Sequence, residues 1–152
     1  MEHYAALVEV RPYRTEDEAS VRALAPRLLI GAAEWIAPEE MLATIHGWLD
    51  DSLAGVAFVA AEAGRIAGFV TVTERKHFTG VPEAYVGELV VAEDAEGRGV
   101  GRALMGAVET WARKRDLSRI SLDTGIANAG ARAFYAALGY EETDIRLSKT
   151  LT

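Results

Sequence analysis

Three glycines alternate at the start of a helix-forming run, Gly97, Gly99 and Gly101 in the segment AEGRGVGRAL. Glycine inside an element costs roughly 0.5–1 kcal/mol relative to alanine, so this cluster needs a physical reason. The first N–H groups of a helix have no intrahelical partner and lie at the positive end of the helix dipole. Glycines let an anion approach those amides, and Arg98 and Arg102 could donate charge-assisted hydrogen bonds to it. The segment therefore predicts a phosphate or, more specifically, a pyrophosphate site.

The two common nucleotide-binding fingerprints do not fit this segment. A Rossmann G-x-G-x-x-G pattern meets Arg102 at its third glycine when counted from Gly97, and Leu104 when counted from Gly99. The P-loop pattern G-x-x-x-x-G-K-[ST] is absent. One alternative stays open, namely that the glycines only let a helix pack tightly against a sheet.

The surrounding sequence predicts the elements that position this loop. A strand at 85–91 precedes it, and a helix at 102–115 leads to a strand at 119–124, which is a right-handed parallel crossover. Residues 56–61 and 66–73 flank the short turn EAGR and predict a β-hairpin, followed by a loop at 74–83. A strand is predicted around Val8 and Val10, and a helix from Thr15 to Leu29 follows it, with a capping box at Thr15 and Glu18 and a break at Pro26. Two further helices are predicted, from Pro38 to Leu49 and from Asn128 to Leu138. Two short strands are predicted within Tyr140–Leu151. This order predicts one mixed sheet covered by helices, in a single domain over residues 1–152.

Composition excludes several classes of protein. Half of the 152 residues are hydrophobic, which suits a packed core, and no apolar run approaches the ~18 residues of a membrane span. The absence of cysteine excludes disulfides and thiolate chemistry, and no pattern of histidines and carboxylates predicts a metal site. A net charge of −7 argues against nucleic-acid binding. No signal-peptide pattern is present, so we expect a cytoplasmic protein.

The charge is unevenly distributed along the chain. Residues 1–51 contain four Lys/Arg and ten Asp/Glu, whereas residues 96–119 contain six Lys/Arg and three Asp/Glu. The basic residues at 113–115 suit the C-terminal end of a helix, where the dipole favours cations. Arg98 and Arg102 lie at the opposite end, and a bound anion would explain them.

Two segments of the chain resemble the GNAT N-acetyltransferase superfamily. Its acetyl-CoA loop, [Q/R]-x-x-G-x-[G/A], is similar to the frame from Glu96 to Gly101, which follows a strand ending at Val91. Its second segment, N-x-x-A-x-x-[FL]-Y-x-x-x-G-[FY], is met by Asn128, Ala131, Phe134, Tyr135, Gly139 and Tyr140. The resemblance covers nearly the whole chain. It implies a single mixed, mostly antiparallel sheet with a parallel central pair, 85–91 and 119–124, flanked by about four helices. Glu96 departs from the family's Gln or Arg, and because an acid repels a pyrophosphate we expect it to point away.

The resemblance implies acetyl-CoA as the cofactor. The strand ending at Val91 would separate from its parallel neighbour at Ser121-Leu122, and its unpaired main chain would then bind the pantetheine arm as an added strand would. Gly87 could start this separation as a bulge or serve packing alone. An N–H near Val91 would polarise the thioester carbonyl. The implied cofactor-binding residues are Leu89, Val90, Val91, Gly97, Arg98, Gly99, Val100, Gly101, Arg102, Asn128 and Tyr135.

Transfer of the acetyl group to an amine needs two proton movements. An alkylamine with a lysine-like pKa near 10.4 is protonated at pH 7, and deprotonating it costs about 4 kcal/mol. Glu88, beside the expected thioester, is our candidate base. The alternative is a strand glutamate on the opposite pleat from Leu89 and Val91, paired with an arginine. By resemblance Tyr135 donates to the leaving sulfur, the alternative being a core aromatic, while Asn128 caps its helix and also contacts the cofactor.

The acceptor side is less specified. We expect the acceptor to contact Trp35, His77 and Tyr85, and the acidic N-terminal third to favour a cationic amine. Trp35 in the core and His77 as an ordinary surface residue remain alternatives. The predicted function is acetyl-CoA-dependent transfer to a primary amine of a small molecule, directly in a ternary complex and without a metal. The alternatives are a protein or peptide N-acetyltransferase and a non-catalytic acyl-CoA-binding module. A homodimer is compatible with the sequence.

Overall fold

A computed structural model describes residues 8–30 and 36–152 and contains one five-stranded sheet. The strands lie side by side in chain order: β1 Glu9–Pro12, β2 Val56–Glu62, β3 Arg65–Lys76, β4 Pro82–Val91 and β5 Ile120–Leu122. β1 to β4 pair antiparallel, and β5 pairs parallel to β4. The helices are α1 Glu18–Ala23, α2 Pro38–Ala54, α3 Val100–Lys114 and α4 Ala129–Ala137. The predicted mixed, mostly antiparallel sheet with one parallel pair and flanking helices is confirmed.

The sheet separates two apolar layers. One layer lies between the sheet and α3, and its buried members include Val70, Val72, Val86, Leu104, Met105 and Val108. The other lies under α1 and α2, and its buried members are Val21, Ala25, Leu49, Val59, Phe69 and Val90. Both faces of the central strands are therefore covered, which explains their nearly continuous apolar sequence.

A β-bulge interrupts the pairing of β3 with β4. Val72 pairs with Val86 and Val70 pairs with Leu89, which leaves two residues of β4 opposite Thr71 alone. The extra residue shifts the strand's alternation by one position. As a result, Val86 and Leu89 both contact the α3 layer although they are three residues apart.

The bulge residues are Gly87 and Glu88. A Cβ atom at position 87 would lie 2.9 Å from the Thr71 hydroxyl oxygen, so glycine is required by this close approach. Glu88, like Val90 further along, faces the layer under α2. The bulge thus aims a carboxylate at α2 from the middle of the sheet.

The predicted break at Pro26 is confirmed, whereas the N-terminal cap lies one residue earlier than predicted. α1 ends at Ala23, and a 3₁₀ turn over Ala25–Leu29 follows, because proline disfavours helical geometry in the residue before it. The main-chain N–H of Arg14 donates to the Asp17 carboxylate at 2.8 Å, so the acidic capping residue lies one position before the predicted Glu18.

The predicted closing strands are the clearest difference at the other end. Residues 141–152 are exposed and contain no strand, and β5 contains only three residues. A strand needs a partner as well as an alternating sequence, and β5 leaves β4 after Leu122. The loop predicted at 74–83 is shorter than expected, because β3 and β4 extend into it and leave only residues 77–81 between them. No helix in the described part of the chain is long and apolar enough to cross a membrane.

Candidate functional site

A cleft opens where β4 and β5 separate. Their pairing is limited to Ala84, Tyr85 and Val86 on β4, and it stops at the bulge. Beyond this point lies a cavity of about 490 Å³ between the two strands, closed on one side by α4. Its lining includes Gly87, Glu88, Leu89, Val90, Val91, Glu96, Leu122, Asp123, Asn128 and Tyr135. The strands therefore separate at the position predicted for Gly87.

The main chain of β4 presents polar groups to this cleft. The Ala92 N–H donates to the Ala67 carbonyl of β3 at 2.8 Å. Because pairing alternates along an antiparallel ladder, the N–H and C=O groups of Leu89 and Val91 point away from β3. The Val91 carbonyl accordingly accepts a hydrogen bond from Arg27 Nε at 2.7 Å, from outside the sheet. An amide-bearing ligand could pair with the same edge.

The glycine segment forms the N-terminus of α3. Gly97 and Gly99 have φ of +75° and +84°, the left-handed region that glycine adopts without strain. Gly99 is the N-cap, no side chain caps this end, and the first helical hydrogen bond is from the Ala103 N–H to the Gly99 carbonyl at 3.0 Å. The amides of residues 100–102 therefore have no partner among the described residues, as an anion site requires.

Gly101 has a different role from the other two glycines. A Cβ atom there would lie 3.0 Å from Cζ of Phe134, so this glycine lets α3 and α4 approach closely. The packing interpretation therefore applies to Gly101, whereas Gly97 and Gly99 have the backbone geometry that the anion-binding interpretation requires.

The cations near the loop do not all face it. Arg98 makes a bidentate ion pair with Glu62 of β2, at 2.7 and 2.9 Å. Arg102 is exposed and makes no ion pair with any described residue. Of the two predicted arginine ligands, Arg102 is therefore the one available to an anion without breaking a contact.

Arg27 is a cation that the sequence interpretation missed. It lies in the 3₁₀ turn after α1 and hydrogen-bonds both the Val91 carbonyl and the Glu96 carboxylate. Glu96, which was expected to point away, instead lines the cleft, where it is paired with a positive charge from a distant segment. Nothing in the local sequence around Pro26 indicates this contact, because it bridges 69 positions of the chain.

Tyr135 lines the cleft from α4. Its ring makes edge-to-face contacts with Phe134 and Tyr140, at centroid distances of 5.0 and 5.6 Å. Burial, with a further contribution from Tyr140, raises the pKa of Tyr135 to about 12. The phenol is therefore protonated at neutral pH and can donate a hydrogen bond into the cleft.

Asn128 is the N-cap of α4. Its Oδ1 accepts a hydrogen bond from the Ala131 N–H at 3.2 Å, which is the predicted capping role. The side chain also lines the cleft, so a contact with the cofactor stays a prediction that this position allows.

Glu88 is only 5% exposed, and its carboxylate is held by three neutral donors. Oε1 accepts from Trp48 Nε1 and from the Ser52 hydroxyl at 3.0 Å, and Oε2 accepts from the Thr71 hydroxyl. The alternative interpretation, in which an arginine pairs with this glutamate, is therefore wrong. A carboxylate has about four lone-pair sites, so these contacts leave one on Oε2 for a further donor.

A second cavity, of about 520 Å³, lies between α2 and the bulge. We call it the α2 groove. Its described lining residues are Leu28, Leu29, Met41, Thr44, Ile45, Gly47, Trp48, Asp51, Gly87 and Glu88. Leu28, Gly87 and Glu88 also line the cleft, so the two cavities meet at the bulge.

Two of the three residues predicted to contact the acceptor, Tyr85 and His77, line neither cavity. Trp35 falls outside the described residues. The Tyr85 hydroxyl donates to Asp123 at 2.7 Å, and its ring lies 3.7 Å from the Arg75 guanidinium, but it lines neither cavity. His77 lies in the turn between β3 and β4, with Nδ1 2.7 Å from the Thr79 hydroxyl, and it too lines neither cavity.

Trp48 and Asp51 were missed as site residues for a recognisable reason. The apolar spacing of α2 assigned Trp48 to the same buried face as Leu49. Leu49 is fully buried, whereas Trp48 is 66% exposed and turns its indole N–H towards Glu88. No cluster of three or more potential metal ligands occurs among the residues that the structure describes.

Comparison with known protein sequences gives a family match. The model of the Acetyltransferase (GNAT) family matches residues 22–140. An aminoglycoside N(6')-acetyltransferase type 1 of Stenotrophomonas maltophilia is 31% identical over 114 residues, covering 72% of this chain and 74% of the relative. A protein of the same name from Serratia marcescens is 35% identical over 63 residues, covering 41% of this chain and 43% of that protein.

Solved structures show the same fold. A GCN5-related N-acetyltransferase from Ralstonia eutropha JMP134 superposes with a TM-score of 0.76 at 21% identity, covering 95% of this chain and 99% of that one. An aminoglycoside N-acetyltransferase in complex with CoA superposes with a TM-score of 0.75 at 20% identity, covering 99% of each chain. At these identities the likeness concerns the fold.

Proposed function

Because the chain belongs to the GNAT family of acetyltransferases, we propose that it transfers an acetyl group from acetyl-CoA to a primary amine of a small molecule, directly in a ternary complex. The observation that carries this proposal is the meeting of the cleft and the α2 groove at Gly87 and Glu88. One cavity has main-chain groups suited to the donor and extends to Glu96, the residue before the glycine segment, and the other can admit an acceptor to the same point.

The main chain of β4 in the cleft and the N-terminus of α3, just after Glu96 at the edge of the cleft, fit CoA. The partnerless amides at residues 100–102 and the guanidinium of Arg102 would hold the pyrophosphate, and the polar edge of Leu89 and Val91 would bind the pantetheine amides. The complex of a structural neighbour with CoA supports this choice of ligand. When bound, acetyl-CoA would supply the acetyl group: an N–C bond forms as the C–S bond breaks, the amine loses a proton and the sulfur gains one.

Glu88 is suited to accept the proton that the acceptor amine loses. Glu88 lines both cavities, so it would lie next to both partners, and its remaining lone pair can accept from an ammonium group or from a water molecule. The three donors that fix its carboxylate keep it in one orientation. Glu88 therefore acts here as a base, directly or through water.

Tyr135 suits the departing sulfur as a hydrogen-bond donor. With its pKa near 12, proton transfer to a thiolate of ordinary pKa near 8.5 would be uphill by about 5 kcal/mol. A hydrogen bond to the sulfur needs no such transfer and stabilises the developing charge. The thiol's final proton then comes from solvent or from the proton released by the amine.

An acceptor screen that follows free thiol tests the proposal. Purified protein is incubated with acetyl-CoA and, separately, with monoamines, polyamines, aminoglycosides and N-terminal or lysine peptides. Turnover with small amines supports the proposal, and turnover with peptides alone replaces it by the protein-acetyltransferase alternative. Tight binding of acetyl-CoA in calorimetry without turnover of any amine would indicate the non-catalytic module.

A further inference from the structure

The α2 groove has a composition that selects a particular kind of amine. Five of its described lining residues carry large apolar side chains: Leu28, Leu29, Met41, Ile45 and Trp48. Two more, Asp51 and Glu88, are carboxylates, and none of the described lining residues is a cation. The groove can therefore offer apolar contact along its walls and negative charge for an ammonium group.

The apolar walls are firmly supported. Leu28 and Ile45 pack against the buried cluster of Val21, Leu49 and Phe69, so they belong to the core under α2. Such a surface presents a fixed shape to a ligand without a cost for ordering its side chains.

Trp48 is the most unusual residue of the groove. It is 66% exposed, yet its indole N–H is bound to the buried Glu88 carboxylate, which restricts the orientation of the ring. An exposed tryptophan held in this way provides a flat surface for an aromatic ring or for a cation. Because Glu88 also lines the cleft, an amine near this carboxylate lies next to the point where the two cavities meet.

Among the residues that the structure describes, the groove has few charged groups. Glu88 is already bonded to three donors, and Asp51 has no hydrogen-bond or ion-pair partner among the described residues. Two carboxylates and the Thr44 hydroxyl suit one ammonium group, whereas a polyhydroxylated polycation needs many polar partners to replace its water. The described lining thus favours a monoamine over an aminoglycoside.

We propose that the α2 groove is the acceptor site and that its acceptor is a primary monoamine on a compact apolar or aromatic body, of the arylalkylamine class. This inference rests on the proposed N-acetyltransferase function. Trp48 and the leucines hold the apolar body, and Asp51 attracts the ammonium group towards Glu88.

Kinetics with matched amines test the substrate class. We compare kcat/KM for 2-phenylethylamine, ethanolamine and kanamycin, and expect 2-phenylethylamine to exceed ethanolamine by about tenfold or more, the effect of burying a phenyl ring. Preference for kanamycin or ethanolamine would overturn the class while leaving the acetyltransferase function intact.

Variants of the groove test the assignment of residues. Trp48→Leu should lower the ratio of kcat/KM for 2-phenylethylamine to that for ethanolamine, whereas Trp48→Phe, which keeps a ring but loses the N–H donor, should retain most of it. Asp51→Asn should raise KM for both amines by about two- to fivefold. The control is Asp50→Asn, because Asp50 is the neighbouring carboxylate on α2 but pairs with Arg22 and does not line the groove. An unchanged ratio in Trp48→Leu places the acceptor elsewhere.

Calorimetry keeps the inference testable if no amine is acetylated. Binding of 2-phenylethylamine to the wild-type protein, lost in Trp48→Leu, would support the groove as an amine site and contradict only the proposed reaction. No detectable binding would overturn the inference itself. Thermal melts of each variant confirm that it is folded.

Discussion

The Thr71 hydroxyl binds both the main chain and the side chain of Glu88: its oxygen accepts the Glu88 N–H at 2.9 Å, and it donates to Oε2 of the same residue. One side chain of β3 thus satisfies the bulged backbone of β4 and orients its carboxylate. It also occupies the space that a Cβ atom at Gly87 would need. The bulge and the candidate base are a single hydrogen-bonded unit.

Thr71→Val should damage this unit without changing the volume of the side chain. The Glu88 N–H would be left buried without a partner, which costs about 1–3 kcal/mol in the free energy of unfolding, and kcat should fall because the carboxylate loses a hydrogen bond. Urea denaturation and steady-state kinetics measure the two effects. Thr71→Ser should behave like the wild type, and Thr73→Val, an exposed change on the same strand, serves as the control. Equal stabilities for Thr71→Val and Thr73→Val would show that the bulge does not depend on this hydroxyl.

Gly99→Asp should remove CoA binding. The added carboxylate lies at the N-terminus of α3, where it both competes for the free amides and repels a pyrophosphate. We expect calorimetry to show a loss of about 100-fold or more in CoA affinity, from one repulsive charge in a site built for anions. The matched control is Gly80→Asp, because Gly80 also has a positive φ, of +89°, but lies in the turn at the far end of the β3–β4 hairpin. Normal CoA affinity in Gly99→Asp would place the pyrophosphate elsewhere.

Tyr135→Phe should lower kcat about 10- to 100-fold while leaving the Kd of CoA nearly unchanged, since only a bond to the developing thiolate is lost. Because burial raises the pKa of Tyr135 to about 12, its hydroxyl remains a donor as the pH rises to about 11. The pH profile of kcat for the wild type should therefore show no alkaline loss caused by this group below that pH, and Tyr135→Phe should keep the same profile shape at a lower rate. An unchanged kcat would reduce Tyr135 to a packing role.

Tyr140→Phe is the control for Tyr135. The Tyr140 hydroxyl is buried and has no hydrogen-bond partner among the described residues. Removing an unpartnered buried hydroxyl should leave the stability unchanged or raise it by about 1 kcal/mol. A melting temperature and kcat equal to or above those of the wild type would agree with this. A large loss of melting temperature would contradict it, and a large loss of kcat alone would indicate a partner that this hydroxyl acquires during the reaction.

Arg27→Ala should weaken CoA binding by releasing the negative charge of Glu96 near the pyrophosphate site. If this is the cause, Glu96→Gln should restore the affinity in the double variant and have little effect by itself. A double-mutant cycle on the Kd of CoA measures the coupling, for which we expect about 0.5–3 kcal/mol between residues in contact. Additive effects of the two changes would show that Arg27 acts on the cofactor independently of Glu96.

The glycine segment and β4 were predictable because their information is local. The φ values of Gly97 and Gly99 and the cap formed by Asn128 follow from residues that are close in sequence, whereas the separation of β4 from β5 after Gly87 was implied by the resemblance to the GNAT family. The sequence pattern likewise located all five strands of the sheet and the helix that follows the loop.

The partners of Glu88 and Glu96 were not predictable in the same way. Trp48, Ser52 and Thr71 reach Glu88 from two other elements, and Arg27 reaches Glu96 across the fold. Helical spacing groups Trp48 with the buried Leu49. The spacing shows which side of the helix a residue occupies, but it does not show how far around the helix the core extends. The absent closing strands show the same limit, since an alternating sequence does not supply the neighbour with which it must pair.

The bulge also determines how β4 tolerates changes in length. Removing Gly87 would restore simple alternation and leave Glu88 facing α2 and Leu89 facing α3, because the bulge adds one extra residue between Val86 and Leu89. Removing Leu89 instead would exchange the two sides of the residues after it, so that Val90 would turn towards α3 and Val91 towards α2. A deletion of one residue after the bulge would therefore be far more harmful than deletion of the bulge residue itself. A chimera that joins this strand to that of another acetyltransferase must keep the spacing from Glu88 to Val91, or the side chains of the candidate site face the wrong layer.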